Sequence, residues 1–248
     1  MARHWIGTSG WSYRNWRGGF YPEALKPGDW LGFYARSLRC VELNASFYRP
    51  PRESLLEAWA ARTPAEFRFA VKAWRAITHF RRLRDCEALV ADFFVRIGRL
   101  GDKLGPVLFQ LPPGFAADPA RLDAFLGGLP SGPRIAVEFR DPSWHDAETY
   151  AVLEAHGAAF CPFELAELRA PRVVTADFTY VRLHGRAARY RGCYGEAELA
   201  EWAAWLRAQL ALGRDVYVFF DNTDDADHAP RNAQRLDALL SAPGGGRG

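Results

Sequence analysis

Short apolar runs alternate along this chain with longer stretches in which apolar residues recur every three or four positions. The runs at 5–8, 40–44, 68–72, 107–111, 135–140, 158–162, 180–184 and 216–221 are rich in Val, Ile and Phe. Near-continuous runs of this length suit strands covered on both faces. Helical patterns fill the gaps. Asp29 caps one through Leu38, and Pro51 suits the first turn of another through Ala61. From Asp85 to Leu100 the residues Leu89, Phe93, Ile97 and Leu100 share a helical face. Asp118-Pro119 opens the next helix, and a pattern over 145–156 ends at Gly157. A clear amphipathic stretch, 196–212, places Leu199, Trp202, Leu206 and Leu210 on one side and stops at Gly213. A last helix is predicted over 229–240. The stretch after the sixth strand is short and contains Pro171, so an irregular or abbreviated βα unit is expected there. Eight strands alternating with helices predict an α/β fold, a (β/α)8 TIM-type barrel over residues 1–241, with a disordered Gly-rich tail at 242–248.

Composition narrows this picture in a few places. The 248 residues match the ~250 typical of one such barrel. No apolar run approaches the ~20 residues of a membrane span, and the N-terminus lacks a charged-then-apolar leader pattern, so a cytoplasmic protein without a membrane partner is expected. The net charge of +3 argues against a polybasic protein that coats nucleic acid. Cys40, Cys86, Cys161 and Cys193 form no Cys-x-x-Cys pair; Cys40 and Cys161 read as buried free thiols.

The chemistry concentrates at the strand ends. In barrels of this kind the reacting groups stand at the C-terminal ends of the strands. Here those ends carry Glu42 with Asn44, Lys72, Gln110, Glu138 with Arg140, Arg182 with His184, and Asp221-Asn222, while the strand starts are mostly apolar. Residues two apart on a strand share a face, so these side chains are predicted to converge inside the mouth. Lys72, Arg140 and Arg182 balance Glu42, Glu138 and Asp221. That balance also suits a purely structural ion network. Aromatic residues follow the same ends, among them Trp11, Tyr13, Trp16, Phe47, Tyr48, Trp74, Trp144 and Tyr190, either as loop packing or as a stacking wall for a ring-shaped ligand. The loop over 185–192, with Arg186, Arg189, Tyr190 and Arg191, reads as a basic lid. No phosphate loop, Gly-x-Gly-x-x-Gly, His-Glu-x-x-His or Gly-x-Ser-x-Gly motif is present.

Several stretches resemble the YecE-like family (domain of unknown function 72). They are Gly7-Thr8-Ser9-Gly10-Trp11-Ser12-Tyr13, Val41-Glu42-Leu43-Asn44 with Phe47-Tyr48-Arg49, Phe69-Ala70-Val71-Lys72-Ala73 and Ile77-Thr78-His79. Leu108-Phe109-Gln110-Leu111-Pro112-Pro113, Glu138-Phe139-Arg140 with Pro142-Ser143-Trp144, and Tyr180-Val181-Arg182-Leu183-His184-Gly185 complete the resemblance, in family order over nearly the whole chain. It implies a TIM-type barrel and implies no particular reaction.

The residues themselves suggest an enzyme acting on a small or terminal anionic group, a phosphate ester or carboxylate, as a hydrolase, lyase or isomerase. Arg140 and Arg182 would hold the anion through forked hydrogen bonds. Glu42 or Glu138 would be the general base, Lys72 an acid or electrostatic stabiliser, and His184 a proton shuttle, with Asp221 as a further catalytic carboxylate. Trp11, Asn44, Tyr48, His79, Gln110, Trp144, Arg186, Tyr190 and Asn222 would contact substrate. No cofactor is expected. A divalent metal on His184, Glu42, Glu138 and Asp221, helped by His79 or His228, stays an alternative, although three fixed cations beside it would repel it. Two other readings stay open: a nucleic-acid or nucleotide binding module, including a metal-dependent nuclease-like hydrolase, and a scaffold without chemistry.

Overall fold

In the computed structural model, residues 2–48 and 50–242 are described. Ten strands form one sheet: β1 (His4–Ser9), β2 (Cys40–Leu43), β3 (Arg68–Lys72), β4 (Leu104–Leu111), β5 (Ile135–Phe139), β6 (Ala159–Phe160), β7 (Phe163–Leu165), β8 (Leu168–Arg169), β9 (Phe178–Leu183) and β10 (Asp215–Phe220). Their order is β6-β5-β4-β3-β2-β1-β10-β9-β7-β8, and every ladder is parallel except β7 with β8. Helices α1 (Trp30–Ser37), α2 (Glu53–Ala61), α3 (Glu87–Ile97), α4 (Pro119–Gly127), α5 (Ala147–Ala155), α6 (Glu196–Ala211) and α7 (His228–Ser241) return the chain to the next strand or close it. The fold is an α/β barrel. The predicted tail lies outside the described residues from 243 onward.

The sixth strand is split, and the split joins the two ends of the sheet. Ala159 and Phe160 pair with β5, whereas Phe163 and Glu164 pair with β9. Between them Cys161 donates its N–H to Val137 O at 2.9 Å, and Pro162 O accepts from Arg182 N at 3.1 Å. Proline has no N–H of its own to continue a ladder. No helix follows this strand: the small β7–β8 hairpin and an irregular stretch lead straight to β9, as Pro171 suggested.

The predicted helix starts hold within two residues. Asp118 caps α4, its side chain accepting from Arg121 N at 3.0 Å. Asp85 stands at φ +45°, a non-helical value, so α3 begins at Glu87. Asp29 makes no side-chain cap; a short 3-10 turn over Pro27–Asp29 leads into α1 instead.

Period-two alternation divides the strand residues between two cores. Outward positions such as Val41, Phe69, Val71, Val107, Phe109, Val137, Val181 and Val218 pack beneath the helices. Inward positions form a separate cluster of Trp5, Cys40, Ala70, Leu108, Ala136, Ala159, Cys161, Phe178, Tyr180, Tyr217 and Phe219. The interior is lopsided. Large rings from β1, β9 and β10, with Trp5 stacked on Tyr217 at 4.6 Å, fill the space left by Cys40, Ala70, Ala136 and Ala159 opposite. Such complementarity gives a dense, uniquely packed floor. Gly7 belongs to this design, because a Cβ there would stand 2.1 Å from Cys40 O.

Candidate functional site

One step of two residues along each strand converts the apolar floor into a polar layer. Cys40 is followed by Glu42, Ala70 by Lys72, Leu108 by Gln110, Ala136 by Glu138, Tyr180 by Arg182 and Phe219 by Asp221, while β1 contributes Ser9. All of these are buried. The convergence expected from same-face spacing is what the barrel produces.

Arg182 is the hub of the layer. Its Nε donates to Glu42 Oε2 at 2.9 Å and its Nη2 to Glu42 Oε1 at 2.8 Å; Nη1 donates to Glu138 Oε2 at 2.9 Å. Nη2 also lies 3.4 Å from Asp221 Oδ2. Glu42 accepts further hydrogen bonds from Tyr180 OH, at 2.6 Å, and from Ser9 Oγ. Glu138 is gripped from its other side by Arg140 Nε. His184 presents Nδ1 to Asp221 Oδ2 at 2.9 Å and Nε2 to Arg140 Nη2 at 2.9 Å. A guanidinium only donates, so Nε2 is the acceptor and Nδ1 carries the hydrogen bonded to Asp221. Burial would raise Glu138 and Asp221, yet their cationic partners outweigh it. Arg140 and Arg182 hold Glu138 well below the usual carboxylate range, and the His184 hydrogen bond with nearby cations lowers Asp221.

This geometry corrects two expectations. Arg182 is 1% exposed and its nitrogens point at protein oxygens, so it cannot clamp a ligand with Arg140. Glu42 and Glu138 are 0% exposed and face guanidinium groups, which leaves neither placed as a general base. Among the described residues no group of three His, Cys, Asp or Glu side chains is arranged to hold a metal ion.

Lys72 behaves differently. Ser46 Oγ lies within hydrogen-bond distance of both Leu43 O (2.6 Å) and Lys72 O (2.8 Å), and its single O–H, shared between them, ties the turn Ala45–Phe47 to the end of β3. That tie sets the Phe47 ring 4.2 Å from Lys72 Nζ. The ammonium has no hydrogen-bond or ion-pair partner among the described residues, although Lys72 is only 7% exposed. Burial and the charge of Arg182 pull its pKa down to about 8 against the opposing pull of the carboxylates. It opens into a pocket of ≈ 510 Å³ that is also lined by Asn44, Gln110, Arg140, Arg182, His184, Tyr190 and Asp221. Arg189, Tyr13, Thr223 and Asp224 add to the lining.

Other predicted contacts lie elsewhere. Trp144 is fully buried, stacked on Phe139 at 4.8 Å, and donates Nε1–H to Phe115 O; it packs the β5 end. Asn222 Nδ2 donates to Gly192 O at 2.7 Å and to Asn232 Oδ1 at 3.1 Å, joining the loop over 185–192 to α7. Arg186 turns away to Glu198 and Glu201 of α6, at 3.4 and 3.3 Å. His79 stands behind Phe47, ring centroids 4.9 Å apart, and burial followed by the charges of Lys72, Arg140 and Arg75 lowers its pKa to about 4. Trp11 faces a neighbouring apolar groove, which Tyr48 also borders. The loop read as a lid is folded onto the site. Tyr190 sits edge-on to His184 at 5.6 Å, and its O accepts from Asp224 N at 3.0 Å. Gly185, at φ +101°, makes the turn, where a Cβ would meet Ala188 O at 2.2 Å.

Ser9 and Tyr180 complete the site beyond the residues singled out from sequence. Tyr180 is two before Arg182 and Ser9 ends β1, so same-face spacing pointed to both. None of the helices is long and apolar enough, among the described residues, to cross a membrane.

Comparison with known proteins agrees with this architecture. UPF0759 protein YunF of Bacillus subtilis is 30% identical, with 95% of this chain and 94% of that protein covered. UPF0759 protein YecE of Escherichia coli is 34% identical over 56% of this chain and 49% of its own length. The crystal structure of a DUF72 family protein from Thermotoga maritima superimposes with a TM-score of 0.87 at 30% identity, covering 97% of this chain and 100% of that one. The family model described as protein of unknown function DUF72 matches residues 5–246, and the chain belongs to that family.

Proposed function

We propose that this protein is an enzyme that binds a small anionic group, a phosphate or carboxylate, against Lys72 and moves a proton through that side chain. One observation carries the reading: an ammonium without a partner among the described residues, set in the floor of a pocket and brought to a pKa of about 8. An isolated buried cation is costly. A ligand anion removes the cost, and a pKa near the working pH suits proton transfer in both directions. Arg140 supports the anion from beside Lys72. Its Nε and Nη2 are taken by Glu138 and His184, and Nη1 has no hydrogen-bond partner among the described residues. Asn44 and Gln110 orient the ligand from β2 and β4. Asp221 orients His184 through the Nδ1 hydrogen bond. Arg182, Glu42 and Glu138 act as the rigid support beneath.

Calorimetric titration with inorganic phosphate tests the reading. Binding is expected at about pH 6.5 and is expected to weaken as pH rises through the Lys72 pKa of about 8. Lys72→Met should abolish it. Phosphate affinity that is unaltered by that substitution would defeat the proposal.

A further inference from the structure

Beside the charged pocket runs a larger groove of ≈ 910 Å³, and nothing in the anion reading uses it. Tyr13, Asn44 and Tyr48 line both, so the two spaces meet. We infer that the substrate's anionic group is joined to a planar aromatic ring, and that this ring occupies the groove. The inference rests on the anion reading and extends it to a substrate class.

Three features of the junction lead there. First, the groove is walled by aromatic and aliphatic side chains: Trp11 and Trp59 meet edge to face, centroids 4.9 Å apart and planes at 89°. Two perpendicular ring walls offer one face for stacking and one edge for a T-shaped contact, the geometries that aromatic pairs prefer. Second, large apolar side chains are left in water at its rim, with Tyr48 66% and Leu55 43% exposed. Concave apolar surface in water is unfavourable until something apolar covers it. Third, Asn44, which lines both groove and pocket, holds its Oδ1 buried without a hydrogen-bond partner among the described residues. Such an acceptor costs stability until a donor arrives. A ligand N–H or O–H between ring and anion is placed to supply it. Charge on one side, a hydrogen-bond acceptor in the middle and ring walls on the other describe one bipartite ligand.

The test compares inorganic phosphate, hexyl phosphate and 1-naphthyl phosphate by calorimetry on the intact chain. Naphthyl phosphate is expected to bind about tenfold tighter than inorganic phosphate or more, the size of one aromatic stacking contact. Trp59→Ala should reduce that advantage to about twofold or less, since the stacking wall is gone. Leu55→Ser, at an exposed rim position that leaves folding intact, should lower the advantage while inorganic phosphate affinity stays unchanged. Equal affinity for inorganic and naphthyl phosphate would overturn the inference and leave the anion reading standing. Hexyl phosphate binding as tightly as naphthyl phosphate would overturn the aromatic assignment. Failure of all three to bind would overturn both readings together.

Discussion

Arg182 and Lys72 occupy the same layer of the same barrel mouth, each two residues beyond an apolar floor position, and their surroundings are opposite. Arg182 is enclosed by Glu42, Glu138 and Asp221. Lys72 has an aromatic ring on one side, open pocket on the other and, among the described residues, no carboxylate within ion-pair distance. Both are nearly inaccessible to water, at 1% and 7% exposure. Burial alone therefore does not separate a structural cation from a functional one. The presence or absence of a protein counter-ion does. The planar guanidinium, with donors in a fixed fork, suits a site that several carboxylates share. The compact ammonium, whose pKa moves readily, suits a site that a ligand completes.

The largest expected effect tests the structural side. Arg182→Met leaves three carboxylates facing one another in a dry layer, and denaturant unfolding should show a loss of ~3–5 kcal/mol. A loss under about 1 kcal/mol would mean that the network carries little of the fold, as for a solvated pair. Lys72→Met should act in the other direction. The folded pKa, about 8, lies below the unfolded value near 10.5. Between those values the unfolded chain keeps a proton that the folded chain has lost, so stability is fully present above 10.5 and is lost as pH falls toward about 8. At neutral pH the methionine variant should equal or exceed the parent, by at most about 3 kcal/mol, and the difference should vanish in strong alkali. A variant several kcal/mol less stable than the parent would place Lys72 among the structural ions. The smallest effect concerns Arg186, whose partners lie on α6. Arg186→Ala should cost under ~1 kcal/mol and leave phosphate binding unchanged. Loss of phosphate affinity in that variant would mean that the loop reaches the pocket.

Most of the barrel and its polar layer were legible in the chain because strand periodicity is a local property. Glu42, Lys72, Gln110, Glu138 and Arg182 each fall two residues after a small or apolar inward position, and parallel strands bring such positions to one level. The pairing inside the layer was not legible. Whether Arg140 or Arg182 lies at the centre depends on distances across the barrel, which charge patterns do not encode. The same holds for loops. Arg186 and Arg189 are three apart in one basic stretch, and in the loop that follows the positive-φ turn at Gly185 the first reaches α6 and the second the pocket. Trp144 illustrates a third limit. An aromatic residue beyond a strand end reads equally as stacking wall or as loop packing, and only its burial against Phe139 and Phe115 decides for packing. Pro162 marked the end of a strand in sequence; in the fold it divides one strand between two neighbours, because each half finds a different partner.

The chain has three lysines, Lys26, Lys72 and Lys103, which makes the decisive measurement simple. NMR of side-chain-labelled lysine, titrated with pH, reports each ammonium separately, and Lys72→Met assigns the signal. The expected Lys72 midpoint lies near 8 and moves upward when inorganic phosphate is added, because a bound anion favours the charged form. A midpoint at the ordinary lysine value, unmoved by phosphate, would contradict the proposal.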